Sequence, residues 1–368
     1  MSGTSRQVAL LGLGGTIAMA ADATGGAVPD RSPAELLAAI PGLPGTGIEV
    51  RPEEVRRVPG ASIRIADLYA VAALVRQRLA GGAAGVVVTQ GTDTIEESSY
   101  LLDLLHDQPA PVVVTGAMRN PSLAGADGPA NLLAAVQVAA DPAARGHGVL
   151  VVFNDQIHAA RRIRKTHATN PATFASPDGG PLGYVVEGRP WFANRLPGRT
   201  VLPAGPAPGG SPRVGLWTVT LGEDGELLAG LAERLDGLVV AAFGAGHVPE
   251  WLVEPLARLA GAMPVVLASR TGAGPVLAGT YAFPGSEADL RGRGMIGAGF
   301  LAAPKARILL HALLAVGADR ASIATAFAVA GGAAPPEEWP WPLADPAGAP
   351  AGGADRGPGG GGQAGSIR

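Results

Sequence analysis

The sequence predicts an α/β protein of two domains, each with a mainly parallel sheet covered by helices on both faces, followed by a disordered C-terminal tail. Three observations carry this. Short runs rich in Val, Leu and Ala recur, apolar at successive positions, as in strands buried on both faces. Helix-patterned segments separate these runs, the alternation that builds parallel sheets. Between Val186 and Arg213 the alternation lapses into Gly, Pro and Arg, in a chain whose 368 residues exceed one ordinary core.

The first apolar run, Val8 to Leu13, is a strand broken by Gly14 and Gly15. Helices follow at Ser32–Ala39 and Ala66–Ala80; in the second, Leu68, Val71, Ala72, Val75 and Leu79 share one face. A strand at Gly85–Thr89 runs into a helix at Thr94–Leu105, whose start carries Asp93 or Thr94 as cap and glutamates in the first turn. A strand at Pro111–Thr115 precedes a helix at Gly128–Ala139, with Asp127 at its cap, and then a strand at Gly148–Phe153. Residues 1–190 thereby form the first domain. Residues 191–212 read as a linker, because the Pro/Gly run at 203–210 sustains neither a helix nor a central strand.

The second domain, residues 213–334, repeats the scheme. Its strands are expected at Val214–Thr220, Gly237–Phe243 and Met263–Ser269, and its helices at Gly225–Leu235, Glu250–Ala260, Pro304–Val316 and Ala321–Val329. Residues 335–368 are dominated by Pro, Gly and Ala without apolar periodicity, so they bury too little surface to offset the entropy of ordering.

Composition narrows the function. A net charge of −3 provides no basic field for a polyanion, so nucleic acid is not expected as a partner. No uninterrupted apolar stretch approaches the roughly 18 residues a membrane span needs, and the first apolar run is too short for a signal-peptide core; a cytoplasmic protein is expected. With no cysteine there is no disulfide, thiolate metal site or thiol nucleophile, and the six histidines show no ligand spacing. No cofactor or metal is expected.

Two threonines stand in strand-end turns suited to presenting a hydroxyl: Thr16 in Leu13-Gly14-Gly15-Thr16-Ile17-Ala18, and Thr92 in Thr89-Gln90-Gly91-Thr92-Asp93-Thr94. With Gly12 before it, the first resembles a dinucleotide fingerprint, Gly12-Leu13-Gly14-Gly15-Thr16, but Ile17 occupies the third glycine position, where close helix packing demands Gly or Ala. A threonine hydroxyl needs a base and a charge partner before it attacks anything. Asp93 and Lys165 supply those types, and Lys165 is one of only two lysines among 28 basic residues. An ammonium can lose its proton and a guanidinium cannot, so a rare lysine hints at work arginine cannot do. Helix capping explains Asp93 to Glu97 equally well, and both readings stand at this point.

These segments, with Gly116–Arg119, Asp127–Pro129, Asn154-Asp155, Lys165-Thr166, Pro181–Tyr184 and Lys305–Arg307, resemble in order and spacing the L-asparaginase family in its large bacterial form, also called asparaginase/glutaminase. The resemblance spans about residues 7 to 330. It implies hydrolysis of an amino-acid side-chain amide by an acyl-enzyme on Thr16, with Thr92, Asp93 and Lys165 as a second triad. It further implies that Asp93 holds the substrate α-ammonium and that Ser62 donates to its carboxylate. Gly91 and Ala117 would contribute main-chain groups, while His247 and Glu287, from a neighbouring subunit of a homotetramer or dimer, would complete the site. One departure stands out: the family's loop tyrosine is matched here by Ala27, which puts the catalytic rate in question and leaves open a non-catalytic amino-acid binder or sensor. The Gly- and Ala-rich loop Met19–Asp30 reads as a lid. Asparagine and glutamine differ by one methylene, worth about 1–3 kcal/mol in a pocket, and the sequence does not choose between them.

Overall fold

The computed structural model describes residues 6–21, 27–203 and 210–344. In chain order the first domain comprises β1 (Arg6–Gly14), β2 (Met19–Ala21), β3 (Ala27–Pro29), α1 (Pro33–Ala38), β4 (Ile48–Val58), α2 (Ile65–Ala80), β5 (Gly85–Thr89) and α3 (Ile95–Leu105). It continues through β6 (Val112–Thr115), α4 (Gly128–Ala140), β7 (Val149–Phe153), β8 (Gln156–Ala159), β9 (Arg164–Lys165), β10 (Phe174–Ala175), β11 (Gly183–Val186) and β12 (Arg189–Phe192). The second comprises β13 (Val214–Thr218), β14 (Gly237–Ala242), α5 (Val253–Ala262), β15 (Val265–Ser269), α6 (Glu287–Gly292), β16 (Ile296–Gly297), α7 (Ala303–Ala315) and α8 (Arg320–Ala330).

Eight strands of the first domain form one sheet in the order β12-β11-β8-β7-β6-β5-β1-β4, parallel from β4 through β7 and antiparallel beyond. Alternate residues of β1 serve opposite faces. Val8 and Leu10 join Val87, Val113, Leu132 and Val136 under α1 and α4, while Ala9, Leu11 and Leu13 join Val75, Val88, Leu102 and Val114 under α2 and α3. Each such fully buried Val or Leu contributes about 1.5–3 kcal/mol of transfer free energy. The second domain is a four-stranded parallel sheet, β13-β14-β15-β16. One face packs on α5; the other packs on α7 and α8, in a core that continues into Tyr100, Leu101 and Leu104 of α3. The two domains therefore share apolar core across their junction.

The structure revises four expectations. Gly225–Leu235 is not a helix but two short 3₁₀ turns, Glu226–Leu228 and Leu231–Glu233, because Gly225 and Gly230 both adopt left-handed φ near 84° and 70°. β4, not foreseen, is a charged edge strand whose Pro52 tolerates the missing donor and whose exposure hides its period. Part of the expected linker is packed: residues 199–202 are buried, the Arg199 guanidinium donates to the carbonyls of His106 and Gln108, and Leu202 N–H to that of Leu104 at 2.7 Å. The expected tail also begins later than residue 335. Trp339 is buried and its indole donates to the Val201 carbonyl at 2.7 Å, holding Pro335–Ala344 against the domain junction. The remainder of the tail, 345–368, lies outside the described residues.

Candidate active site

Parallel sheets place their ligands outside the carboxyl ends of the strands, and three such ends meet here. β1, β5 and β6 are neighbours in the sheet, and each closes in a glycine turn: Gly14-Gly15, Gln90-Gly91 and Gly116. Gly15 has φ 82° and ψ −173°, and its amide donates to the Val58 carbonyl at 3.0 Å. A Cβ there would fall 2.1 Å from the Gly91 nitrogen, and one on Gly60 would fall 2.8 Å from the Gly91 carbonyl carbon. Three turns thus touch backbone to backbone only because none carries a side chain. Thr16 and Thr92 each follow a glycine of this contact and open a 3₁₀ turn, Thr16–Ala18 and Thr92–Thr94. Ser62 ends a third such turn, Gly60–Ser62, with its residue exposed.

The Gln90–Thr94 turn is locked from beneath. The buried Gln90 amide donates to the Gly91 carbonyl and to Thr94 Oγ1, and its Oε1 accepts from Ser98 Oγ at 2.7 Å. Thr94 Oγ1 in turn donates to the Gly60 carbonyl at 3.1 Å, binding the second turn to the third. Lys165 arrives from the short ribbon of β9 and β10. Its Nζ donates to Thr92 Oγ1 at 3.0 Å and to Asp93 Oδ1 at 2.8 Å. Thr92 is 5% exposed, and the Asp93 side chain is 61% exposed, so one carboxylate both contacts the ammonium and faces solvent. The arrangement places a positive charge on the Thr92 hydroxyl oxygen, which lowers the cost of negative charge developing there.

Ala117 is fully buried in the turn after β6. Its turn is held by Asp127, whose carboxylate accepts the Met118 and Arg119 amides at 2.8–3.1 Å. Asn131, on α4, donates to the Gly116 carbonyl and to Asp127 and accepts the Asn154 amide at 3.0 Å. Gln90 and Asn131 are site-building residues that sequence reasoning assigned no role. Nothing in a single sequence separates a buried amide from an exposed one.

His247 and Glu287 lie together in the second domain, Nε2 to Oε2 at 3.1 Å, with the His247 ring edge-on to Tyr281 and Phe283. Glu287 is fully buried. Burial pushes its carboxyl up, but main-chain donors at Tyr281, Glu287 and Thr280, together with His247, outweigh burial and hold it below the usual range. Among the described residues no hydrogen bond joins this pair to Thr92, Asp93 or Lys165. Among the described residues of the expected lid, β2 and β3 form a ribbon in which Ala21 pairs with Ala27; residues 22–26 lie outside the described residues. Among the described residues no cluster of three or more His, Asp or Glu could hold a metal, and no helix is long and apolar enough to cross a membrane.

The second lysine, Lys305, is 1% exposed in the first turn of α7, and its Nζ donates to the Ile163 carbonyl. Burial lowers its pKa from 10.5 to about 7, opposed by Glu96, reinforced by Arg164 and opposed again by Glu97. The folded protein therefore binds fewer protons at Lys305 than the unfolded chain does between about pH 7 and 10.5, and stability from this site rises with pH across that window. Below pH 7 the full cost of the buried charge applies. Urea midpoints should accordingly show wild type gaining on Lys305→Met between pH 7 and 10; a difference constant across that range would contradict the burial effect.

The chain matches two family models in succession: an asparaginase N-terminal domain over residues 7–197 and a glutaminase/asparaginase C-terminal domain over residues 213–327. It is 39% identical to a probable L-asparaginase of Deinococcus radiodurans over 87% of this chain and 97% of that one. It is 32% identical to an L-asparaginase of Bacillus licheniformis over 84% of this chain and 96% of that one. Among solved structures, a probable cytoplasmic L-asparaginase from Campylobacter jejuni superposes with a TM-score of 0.77 at 32% identity, covering 87% of this chain and 98% of that one.

Proposed function

Because the chain belongs to the asparaginase family, we propose that it hydrolyses the side-chain amide of L-asparagine to L-aspartate and ammonia through an acyl-enzyme on Thr16. The observation that carries this reading is the 3.0 and 2.8 Å approach of Lys165 Nζ to Thr92 and Asp93, on a turn in backbone contact with the one bearing Thr16. Thr16 Oγ1 bonds to the amide carbon, the carbon–nitrogen bond breaks, and the hydroxyl proton leaves on ammonia. Water then attacks the ester, aspartate departs and a proton returns to Thr16. Lys165 and Asp93 polarise Thr92, whose hydroxyl is the polar neighbour available to this sequence.

Substrate recognition follows the charges of a zwitterion. Asp93, with its exposed carboxylate, holds the α-ammonium, while Ser62 and main-chain groups at Gly91 and Ala117 serve the carboxylate and the oxyanion. His247, held at 3.1 Å by the buried Glu287, would complete the site from a second copy, in a homotetramer or dimer, and the reading places the enzyme in the cytoplasm. A charge-bearing lysine seated on Thr92 favours catalysis over a mere sensor, which needs the pocket but no polarised hydroxyl.

The test is ammonia release from asparagine and glutamine by purified protein. Thr16→Ala is expected to reduce turnover by roughly three orders of magnitude or more, with asparagine still bound. Saturable binding by wild type without ammonia release would select the sensor. Light scattering that finds an active monomer would remove the shared-site component.

A further inference from the structure

We infer that Lys305 is a positioning residue for Lys165: reaching from the second domain, it holds the Ile163 carbonyl and so fixes the strand from which Lys165 meets Thr92 and Asp93. This rests on the reading of Lys165 as the group that activates Thr92.

β9 is only two residues long, and its single pairing partner, β10, is equally short. Such a ribbon has little stiffness of its own, so its ends decide where Lys165 points. On the far side of Lys165, Thr166 is tied to Thr173 by its amide and its hydroxyl, both at 2.8 Å. On the near side the anchors come from the second domain. Lys305 Nζ takes the Ile163 carbonyl, and the Arg164 guanidinium donates to the Gly272 carbonyl. Arg164 Nε lies 3.9 Å from Glu96 Oε2 in α3, just after the Thr92 turn, and both atoms are buried without a hydrogen bond. One network thus reaches from α7 through β9 to the start of α3.

Fold stability does not call for a charge at Lys305. A fully buried ammonium carries a desolvation cost that a Met of similar length avoids. It also sits in the first turn of α7, where the helix dipole disfavours a cation. Four titratable or charged groups face it: Glu96 and Glu97 on α3, Arg164 on β9, and His158 on β8, whose pKa burial lowers to about 4 with help from the Lys305 charge. The geometry supplies what stability does not, a donor carried across the domain junction to a carbonyl two residues before Lys165. Misplacing a reacting group by about 1 Å can cost about 100-fold in rate.

Two lysines in the whole chain make the test direct. In protein labelled selectively at lysine Cε, Lys305→Met removes one of two side-chain resonances and leaves that of Lys165 alone. The expected result is a displaced Lys165 resonance and a kcat for asparagine reduced roughly 10- to 100-fold, with KM within about twofold. Lys305→Gln retains an N–H donor and should recover part of both; it also serves if the Met variant fails to fold. An unmoved Lys165 resonance with kcat within about twofold of wild type in Lys305→Met overturns the proposal and leaves Lys305 a structural brace; if only Lys305→Gln folds, its shorter reach should still move the resonance, and an unmoved one overturns the proposal as well. If wild type releases no ammonia, the proposed function fails, while the resonance still reports whether Lys305 positions Lys165.

Discussion

Lys165→Met is expected to lower kcat for asparagine by about 10²–10⁴-fold, the range over which positioned proton-handling groups contribute, with KM changed little. Lys165 contacts Thr92 at 3.0 Å and Asp93 at 2.8 Å, and the substitution keeps the length of the side chain while removing both contacts. Lys165→Arg should not restore activity, because a planar guanidinium spreads its charge over a fork and does not present one ammonium to Thr92 and Asp93 in the same way. The cost to folding should be small. The Asp93 side chain is 61% exposed against 16% for Lys165, and ion pairs with that much solvent contribute about 1 kcal/mol or less. The decisive comparison is the double variant Thr92→Ala with Lys165→Met. If the two residues act as one unit, the double variant loses no more than the worse single one. Fully additive losses would mean that the lysine and the threonine serve separate steps, and the polarised-hydroxyl reading would have to be abandoned.

Gly15→Ala is expected to destabilise the protein by roughly 2–6 kcal/mol, a large part of the 5–15 kcal/mol typical of a folded domain. Two physical costs combine. Gly15 sits at φ 82° and ψ −173°, a region essentially reserved for glycine, where any other residue costs about 1–3 kcal/mol. Its added methyl would also fall 2.1 Å from the Gly91 nitrogen and 2.3 Å from the Gly91 Cα, both main chain, so relief requires moving a turn; overpacking of this kind costs about 1–3 kcal/mol. The same displacement separates the Thr16 and Thr92 turns, so activity should fall even in whatever fraction folds. Gly42→Ala is the control. That glycine also has a left-handed φ, 81°, but an added Cβ meets nothing within 4 Å, so only the left-handed backbone cost of about 1–2 kcal/mol remains. Denaturant midpoints that place the two variants together would show that contact with Gly91 is not what Gly15 is needed for.

Much of the first domain was legible because its strands are short, continuously apolar and bounded by glycine turns. Gly85–Thr89 was read to the residue, and β6, β7 and the helices α2, α3 and α4 to within one or two. The misreadings have separate causes. β4, with four acidic or basic residues in Glu53–Arg57 and Pro52 before them, resembles a loop because an edge strand exposes most of its side chains. Gly225–Leu235 carries enough Leu and Ala to resemble a helix, yet Gly230 takes a conformation no helix permits. Trp339 sits in a segment whose composition is that of a disordered tail, and only its burial in the core and its bond to the Val201 carbonyl make it part of the fold.

By itself the sequence determined the two-domain α/β plan and the local settings of Thr16 and of Thr92 with Asp93, because strand ends, glycine turns and helix starts are written in neighbouring residues. It also singled out Lys165 by its rarity. That Lys165 reaches Thr92 across 73 positions was settled only by tertiary structure, as were the contact of the turns at Gly15, Gly60 and Gly91, the seating of Gln90 and Asn131 beneath them, and the ammonium of Lys305 on the Ile163 carbonyl. The reason is physical. A backbone conformation follows from the residues beside it, whereas a distance between side chains far apart in the chain exists only once the sheet has closed and a shared core has fixed one domain against the other.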